Sequence, residues 1–119
     1  MLEHVEGLHK LHLVHHDLKL DNVFIKLEHK DQKGRVIVGD LGLAGYMQPL
    51  VYSREDVEHC RPLVEEGILA PEVLRGITDV KMDIFKLGHL VKQWSETFKI
   101  DSFFESLVAK MRDPEYETR

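Results

Sequence analysis

A mainly α-helical fold with one small β-hairpin is predicted by three features of the chain. Apolar residues recur at helical spacing in three places: Leu2, Val5, Leu8, Leu11 and Leu13; Ile84, Leu87, Leu90, Val91 and Trp94; and Phe103, Phe104, Leu107, Val108 and Met111. Two short β-rich runs, Val23-Phe24-Ile25-Lys26-Leu27 and Arg35-Val36-Ile37-Val38, flank a polar stretch. The composition is globular, with 43% hydrophobic and 31% charged residues in 119 positions. That length makes one domain or part of one, and the apolar share is too high for a disordered chain.

The first helix is expected over residues 2–12, with one buried stripe and an end near His12. Leu13-Val14 then runs extended into the polar loop 15–22. The two β-rich runs pair as an antiparallel hairpin across Glu28 to Gly34, which closes in Lys33-Gly34. Gly39 permits a close backbone approach just before Asp40. Residues 43–69 show no sustained period and contain Gly45, Pro49, Pro62 and Gly67. They are expected to form a long functional loop, with no more than a short helix over Arg54 to Cys60.

Pro71 suits the first turn of a short helix through Leu74, which Gly76 ends. Thr78 or Asp79 caps the next helix, whose interior Gly88 marks close packing. Asp101 or Ser102 caps the last one. Trp94, Phe103 and Phe104 are read as core anchors, and a polar turn, Asp113-Pro114-Glu115, precedes Arg119.

Charge and composition narrow the function. The net charge is -5 with both signs mixed along the chain, so there is no basic field for a nucleic acid. No apolar run is long enough to span a membrane. Met1 to Glu6 carries two acids and no apolar core, unlike a secretory signal. The one cysteine, Cys60, forms no internal disulfide and suits a reducing compartment. The expectation is a soluble cytoplasmic or nuclear protein with no nucleic-acid or membrane partner. Among eight histidines, His9, His12 and His16 would share a helical face, a zinc-like spacing. The first helix is expected to stop short of His16, however, and no cysteine is near.

The chemistry concentrates in His15-His16-Asp17-Leu18-Lys19-Leu20-Asp21-Asn22 and in Asp40-Leu41-Gly42. Alternation in the first stretch buries the leucines and turns the polar heads to one cleft. A carboxylate beside a substrate hydroxyl orients it and accepts its proton. A lysine two residues away neutralises charge on a transferred phosphoryl group. An asparagine oxygen and a second carboxylate supply hard ligands for magnesium.

Together these stretches resemble the C-terminal lobe of eukaryotic protein kinases. Residues 15–22 resemble the catalytic loop HRDLKxxN, and Asp40-Leu41-Gly42 resembles the magnesium-binding DFG triplet. Ala70-Pro71-Glu72 resembles the APE end of the activation segment. Asp83 in Lys81-Met82-Asp83-Ile84-Phe85-Lys86-Leu87-Gly88 resembles the aspartate that braces the catalytic loop, with the backbone near His15 and His16 as its implied partner. Arg119 resembles the late arginine that pairs with the APE glutamate, here Glu72. Asp40 to Ala44 and Leu18 to Ile25 look closest to serine/threonine kinases of the lysine-deficient (WNK) kind.

The resemblance implies a partial protein kinase domain over 1–119, from the catalytic loop through the start of the final helical region. It implies ATP and magnesium as cofactors, serine/threonine phosphorylation as the ancestral activity, and a protein substrate or a partner kinase as partners. By position Asp17 is the catalytic base, Lys19 contacts the γ-phosphate, Asn22 and Asp40 bind magnesium, and Phe24 lies under adenine. His15 and Leu41 stack in a hydrophobic spine.

The family's glycine-rich loop, anchoring lysine, paired helix glutamate and hinge precede the catalytic loop, and sixteen residues precede Asp17 here. The expectation is therefore a C-terminal lobe without the N-terminal lobe, weak ATP binding and negligible transfer by this chain alone. The alternative is a non-catalytic pseudokinase or kinase-mimic binding module. His16 replaces the usual loop arginine, Glu65 stands at the usual threonine where it would pair with Lys19 or disturb peptide binding, and Ser95 to Ile100 is too short for the usual extra helix. Tyr46, Tyr52, Ser53 and Thr78 carry modifiable hydroxyls.

Overall fold

The computed structural model describes residues 1–27, 34–46, 53–97 and 102–119. Lys33, Tyr52 and Asp101, and most of the hairpin connection, lie outside the described residues, as does Lys99 in the segment between the last two helices.

The chain opens with α1 (Leu2–Lys10), which leads through a turn at Leu11 and His12 into the two-residue strand β1 (Leu13–Val14). His12 holds a left-handed φ of 57°, which stops the helix before its expected end. The apolar stripe is also narrower than its spacing suggests. Val5 is buried, whereas Leu2 and Leu11 are exposed. Strands β2 (Val23–Leu27) and β3 (Gly34–Val38) pair antiparallel as expected, with Val23 opposite Val38 and Leu27 opposite Gly34. A second small ladder joins β1 to β4 (Gly45–Tyr46).

Residues 53–65 depart from the expected loop. Helix α2 (Arg54–Glu65) is twelve residues long and holds no fully buried side chain. Its start is fixed by a capping box: Ser53 Oγ accepts from Asp56 N at 3.1 Å and the Asp56 carboxylate accepts from Ser53 N at 2.9 Å. A 3-10 turn, Pro71–Arg75, follows and ends at Gly76 in the left-handed region. Asp79, and not Thr78, caps α3 (Val80–Thr97): its Oδ1 accepts from Lys81 N at 2.9 Å, while the buried Thr78 hydroxyl has no partner among the described residues. Helix α4 (Ser102–Met111) then packs back on α3.

Helix α3 organises the interior because it is buried on two sides. One side packs Leu87 and Leu90 with Val5 and Leu18. The other packs Met82 and Phe85 with Ala70 and Val73. Gly88 lies at a close approach of α3 to the end of α4. A Cβ there would stand 2.8 Å from both Met111 Cβ and Arg112 Cγ. Gly88→Ala is expected to lower stability by about 1–3 kcal/mol through overpacking, against a helix-propensity gain of only about 1 kcal/mol. Urea denaturation checks this, and a stabilised variant would refute the packing argument.

The aromatic anchors differ from expectation. Phe103 is 72% exposed and Phe104 45% exposed; their rings pack edge to face on one another, while Trp94 is half-buried. Among the described residues, Val108 and Met111 carry the contact of α4 with the core. No helix among the described residues is long and apolar enough to cross a membrane.

Candidate functional site

The polar loop is held from below by Asp83. This fully buried carboxylate accepts from the backbone N–H of His15 at 2.8 Å and of His16 at 3.1 Å. His9, reaching down from α1, places Nε2 2.9 Å from the same carboxylate. One side chain on α3 thus fixes both the backbone ahead of Asp17 and the helix before it. The brace expected of Asp83 is present. His9 was missed, although it lies one helical turn after the buried Val5 and so on the inward face of α1.

Asp17, Lys19 and Asn22 come together above this brace. Lys19 Nζ donates to Asp17 Oδ2 at 2.8 Å. The Asn22 amide nitrogen donates to the same oxygen at 2.9 Å and to the Asp17 carbonyl at 2.8 Å. A single 3-10 turn, Leu20–Asn22, makes this possible by folding the chain back on itself. Leu18 is buried beneath, whereas Leu20 is exposed, so the alternation holds for one of the two leucines.

Partial burial works to raise the Asp17 carboxyl. The hydrogen bonds from Lys19 and Asn22, with the charges of Lys19 and Lys86, outweigh it and hold the group below the usual carboxylate range. The same contact keeps Lys19 above the usual lysine range. Glu65, exposed at the end of α2, is not the partner of Lys19.

Asp40 is tied to this group through its neighbour. Gly39 N donates to the Asn22 carbonyl at 2.9 Å, and His15 Nε2 lies 3.1 Å from the Gly39 carbonyl. Asp40 follows with a left-handed φ of 59°, a conformation costly for a non-glycine residue. Its exposed carboxylate accepts from Gly42 N at 3.3 Å, and its charge acts on Lys19. Gly39 does allow a close approach, since a Cβ there would meet the Phe24 ring at 2.9 Å. Phe24 is itself half exposed. Of the expected spine, His15 is fully buried, but Leu41 is 52% exposed and stands outside the packed interior.

His16 also holds a left-handed φ, 67°, and its Nε2 is buried without a partner among the described residues. Burial pushes its imidazole below the usual range; Asp83 opposes this, while His15 and Lys86 add to it. The folded state therefore binds fewer protons at His16 than the unfolded state. Stability from this group is present above the unfolded pKa of about 6.5 and is lost as pH falls below it. The decline in unfolding free energy from pH 7 to pH 5 is expected to be shallower in His16→Asn, a residue that tolerates the left-handed backbone. Equal slopes in paired urea titrations would contradict this.

The protein kinase domain profile matches residues 1–105. A probable serine/threonine-protein kinase WNK9 of Oryza sativa subsp. japonica is 36% identical over 87 residues, covering 69% of this chain and 18% of its own length. The serine/threonine-protein kinase pakC of Dictyostelium discoideum is 30% identical over 96 residues, covering 80% of this chain and 18% of that protein. The membrane-associated tyrosine- and threonine-specific cdc2-inhibitory kinase wee-1.3 of Caenorhabditis briggsae is 37% identical over 91 residues, 74% of this chain and 12% of that protein. The chain spans less than a fifth of the length of these curated relatives. With most of its residues inside the matched region, the chain belongs to the protein kinase domain family.

Proposed function

We propose that these 119 residues form the helical C-terminal lobe of a serine/threonine protein kinase and carry its phosphoryl-transfer groups. The observation that carries this reading is the joined set Asp83, Asp17, Lys19 and Asn22, in which a buried carboxylate fixes the loop and the loop presents three polar heads together. Asp17, kept ionised, orients a serine or threonine hydroxyl and accepts its proton. Lys19 exchanges its contact with Asp17 for the γ-phosphoryl oxygens. Phe24, half exposed beside Gly39, offers an apolar face to adenine.

Asn22 turns its amide nitrogen to Asp17, which leaves the amide oxygen for a cation; Asp40 adds a carboxylate. Magnesium takes hard oxygens and retains water and phosphate ligands, so two protein oxygens fit it. Among the described residues no three His, Cys, Asp or Glu gather into a cage of their own. When bound between phosphates, the ion would neutralise charge developing on the transferred group. The WNK name of the rice relative favours the lysine-deficient subgroup for this chain.

These residues alone offer one wall of a nucleotide cleft, and water around the phosphates removes most of the benefit of preorganised charge. The purified 119-residue chain is expected to bind Mg-ATP weakly and to transfer phosphate negligibly. A radiolabelled ATP assay checks this, and turnover abolished by Asp17→Asn would refute the inactivity while supporting the assigned base. A second reading, a kinase-mimic binding module, is favoured by the exposed Leu41, Leu43 and Tyr46 beside the site. It requires saturable binding to a purified kinase or kinase substrate that Leu43→Asp weakens.

A further inference from the structure

Lys86 is a charged group to which the phosphoryl-transfer reading gives no contact with substrate or phosphate; it acts on Asp17 only through its charge. It lies on α3 one helical turn after Asp83, so both side chains leave the same face of the helix towards the polar loop. The Asp83 carboxylate is already engaged by His15, His16 and His9. Lys86 is half-buried, and among the described residues it has neither a hydrogen bond nor a carboxylate at salt-bridge distance. Three other lysines are engaged: Lys10 pairs with Glu6, Lys19 with Asp17, and Lys81 donates to the Tyr116 carbonyl; Lys26 and Lys110 are exposed, so half-burial sets Lys86 apart from them. Near Lys86, the buried Nε2 of His16 also lacks a partner among the described residues.

We propose that Lys86 is a nucleophilic amine and a site of covalent acylation by acyl phosphates. An amine attacks only in its neutral form, and a paired carboxylate would hold its proton in place. Among the described residues no such pair exists, and the half-buried side chain is still accessible to a small electrophile. Burial pushes the ammonium below the usual lysine range, and Lys19 adds to this. Asp17 and Asp83 oppose it, as does Cys60 on α2, and His16 and His89 are the other titratable groups on which Lys86 acts.

In the reaction the Nζ lone pair attacks the acyl carbonyl carbon. An N–C bond forms, the C–O bond to phosphate breaks, and phosphate leaves with that electron pair. The proton released from nitrogen passes to water. The neutral amide that results removes one of the cations acting on Asp17. The site depends on the packing of α3 beneath the loop and not on phosphoryl transfer by this chain.

The test is acetylation of the folded chain by acetyl phosphate, followed residue by residue by peptide mass spectrometry. Lys86 is expected to outpace the exposed Lys26 and Lys110 by at least about threefold at pH ~7.5, and to lose that lead near pH ~11, where lysines are largely neutral. The lead should vanish in urea. It should persist with the uncharged N-hydroxysuccinimidyl ester of acetate, because a lead confined to acetyl phosphate would assign phosphate recognition instead of amine reactivity and would overturn the proposal. Lys86→Arg should remove the modified peptide and leave labelling of Lys26 and Lys110 unchanged. Labelling of Lys86 no faster than that of the two exposed lysines at pH ~7.5 would also overturn it.

Discussion

Asp83→Ala is expected to lower unfolding free energy by about 3–5 kcal/mol, one of the two largest single-residue effects in the molecule. The carboxylate is fully buried and satisfies two backbone N–H groups and the His9 imidazole. Its removal leaves the His15 and His16 donors facing a cavity, and each buried donor without a partner costs about 1–3 kcal/mol. Asp83→Asn keeps the volume but sets an amide N–H against at least one of these donors, so it should recover little. The effect has a location as well as a size. Amide exchange at His15 and His16 should accelerate ahead of exchange at Leu87 and Leu90, because the brace holds the loop and not the centre of α3. Urea denaturation with native-state hydrogen exchange checks both parts. A loss under about 1 kcal/mol, or unchanged exchange at His15 and His16, would show that the loop keeps its shape without the brace.

The same carboxylate illustrates what the sequence made legible. The order of His15 to Asn22, Asp40 to Gly42, Ala70 to Glu72, Asp83 and Arg119 implied a family, and the family implied partners 47 and 68 residues apart that the structure contains. The hairpin was legible from two β-rich runs alone, because pairing Val23 with Val38 requires no information from elsewhere in the chain. Helix α2 was obscured for a physical reason. It has no fully buried side chain, so it lacks a complete apolar stripe, and Pro62 within it reads as a breaker. Its readable signal was the cap, Ser53 with Asp56 three residues on. The exposure of Phe103, Phe104 and Leu41 was hidden for the opposite reason. Periodicity shows which face of an element is apolar, but not whether anything covers it.

Arg119→Met is expected to cost about 3–5 kcal/mol. Here both side chains of the Glu72–Arg119 pair are fully buried, and the guanidinium meets the carboxylate through two nitrogens. Arg119 also donates from Nε to the Asp113 carbonyl at 2.9 Å and from Nη1 to the Lys81 carbonyl at 3.3 Å, with its guanidinium 4.8 Å from the Phe85 ring centre. It therefore joins the 3-10 turn after Ala70, the first turn of α3 and the final polar turn. Methionine roughly fills the stem volume but strands the Glu72 carboxylate in a fully buried site, and the cost arises chiefly from that stranded charge. Two comparisons separate this account from simple loss of packing. Arg119→Lys should recover only part of the stability, because an ammonium cannot match the planar two-nitrogen contact. Glu72→Met combined with Arg119→Met should be more stable than Arg119→Met alone, since it removes the unpaired charge together with its partner. A double variant no more stable than the single one would show that the pair is held for reasons other than mutual neutralisation.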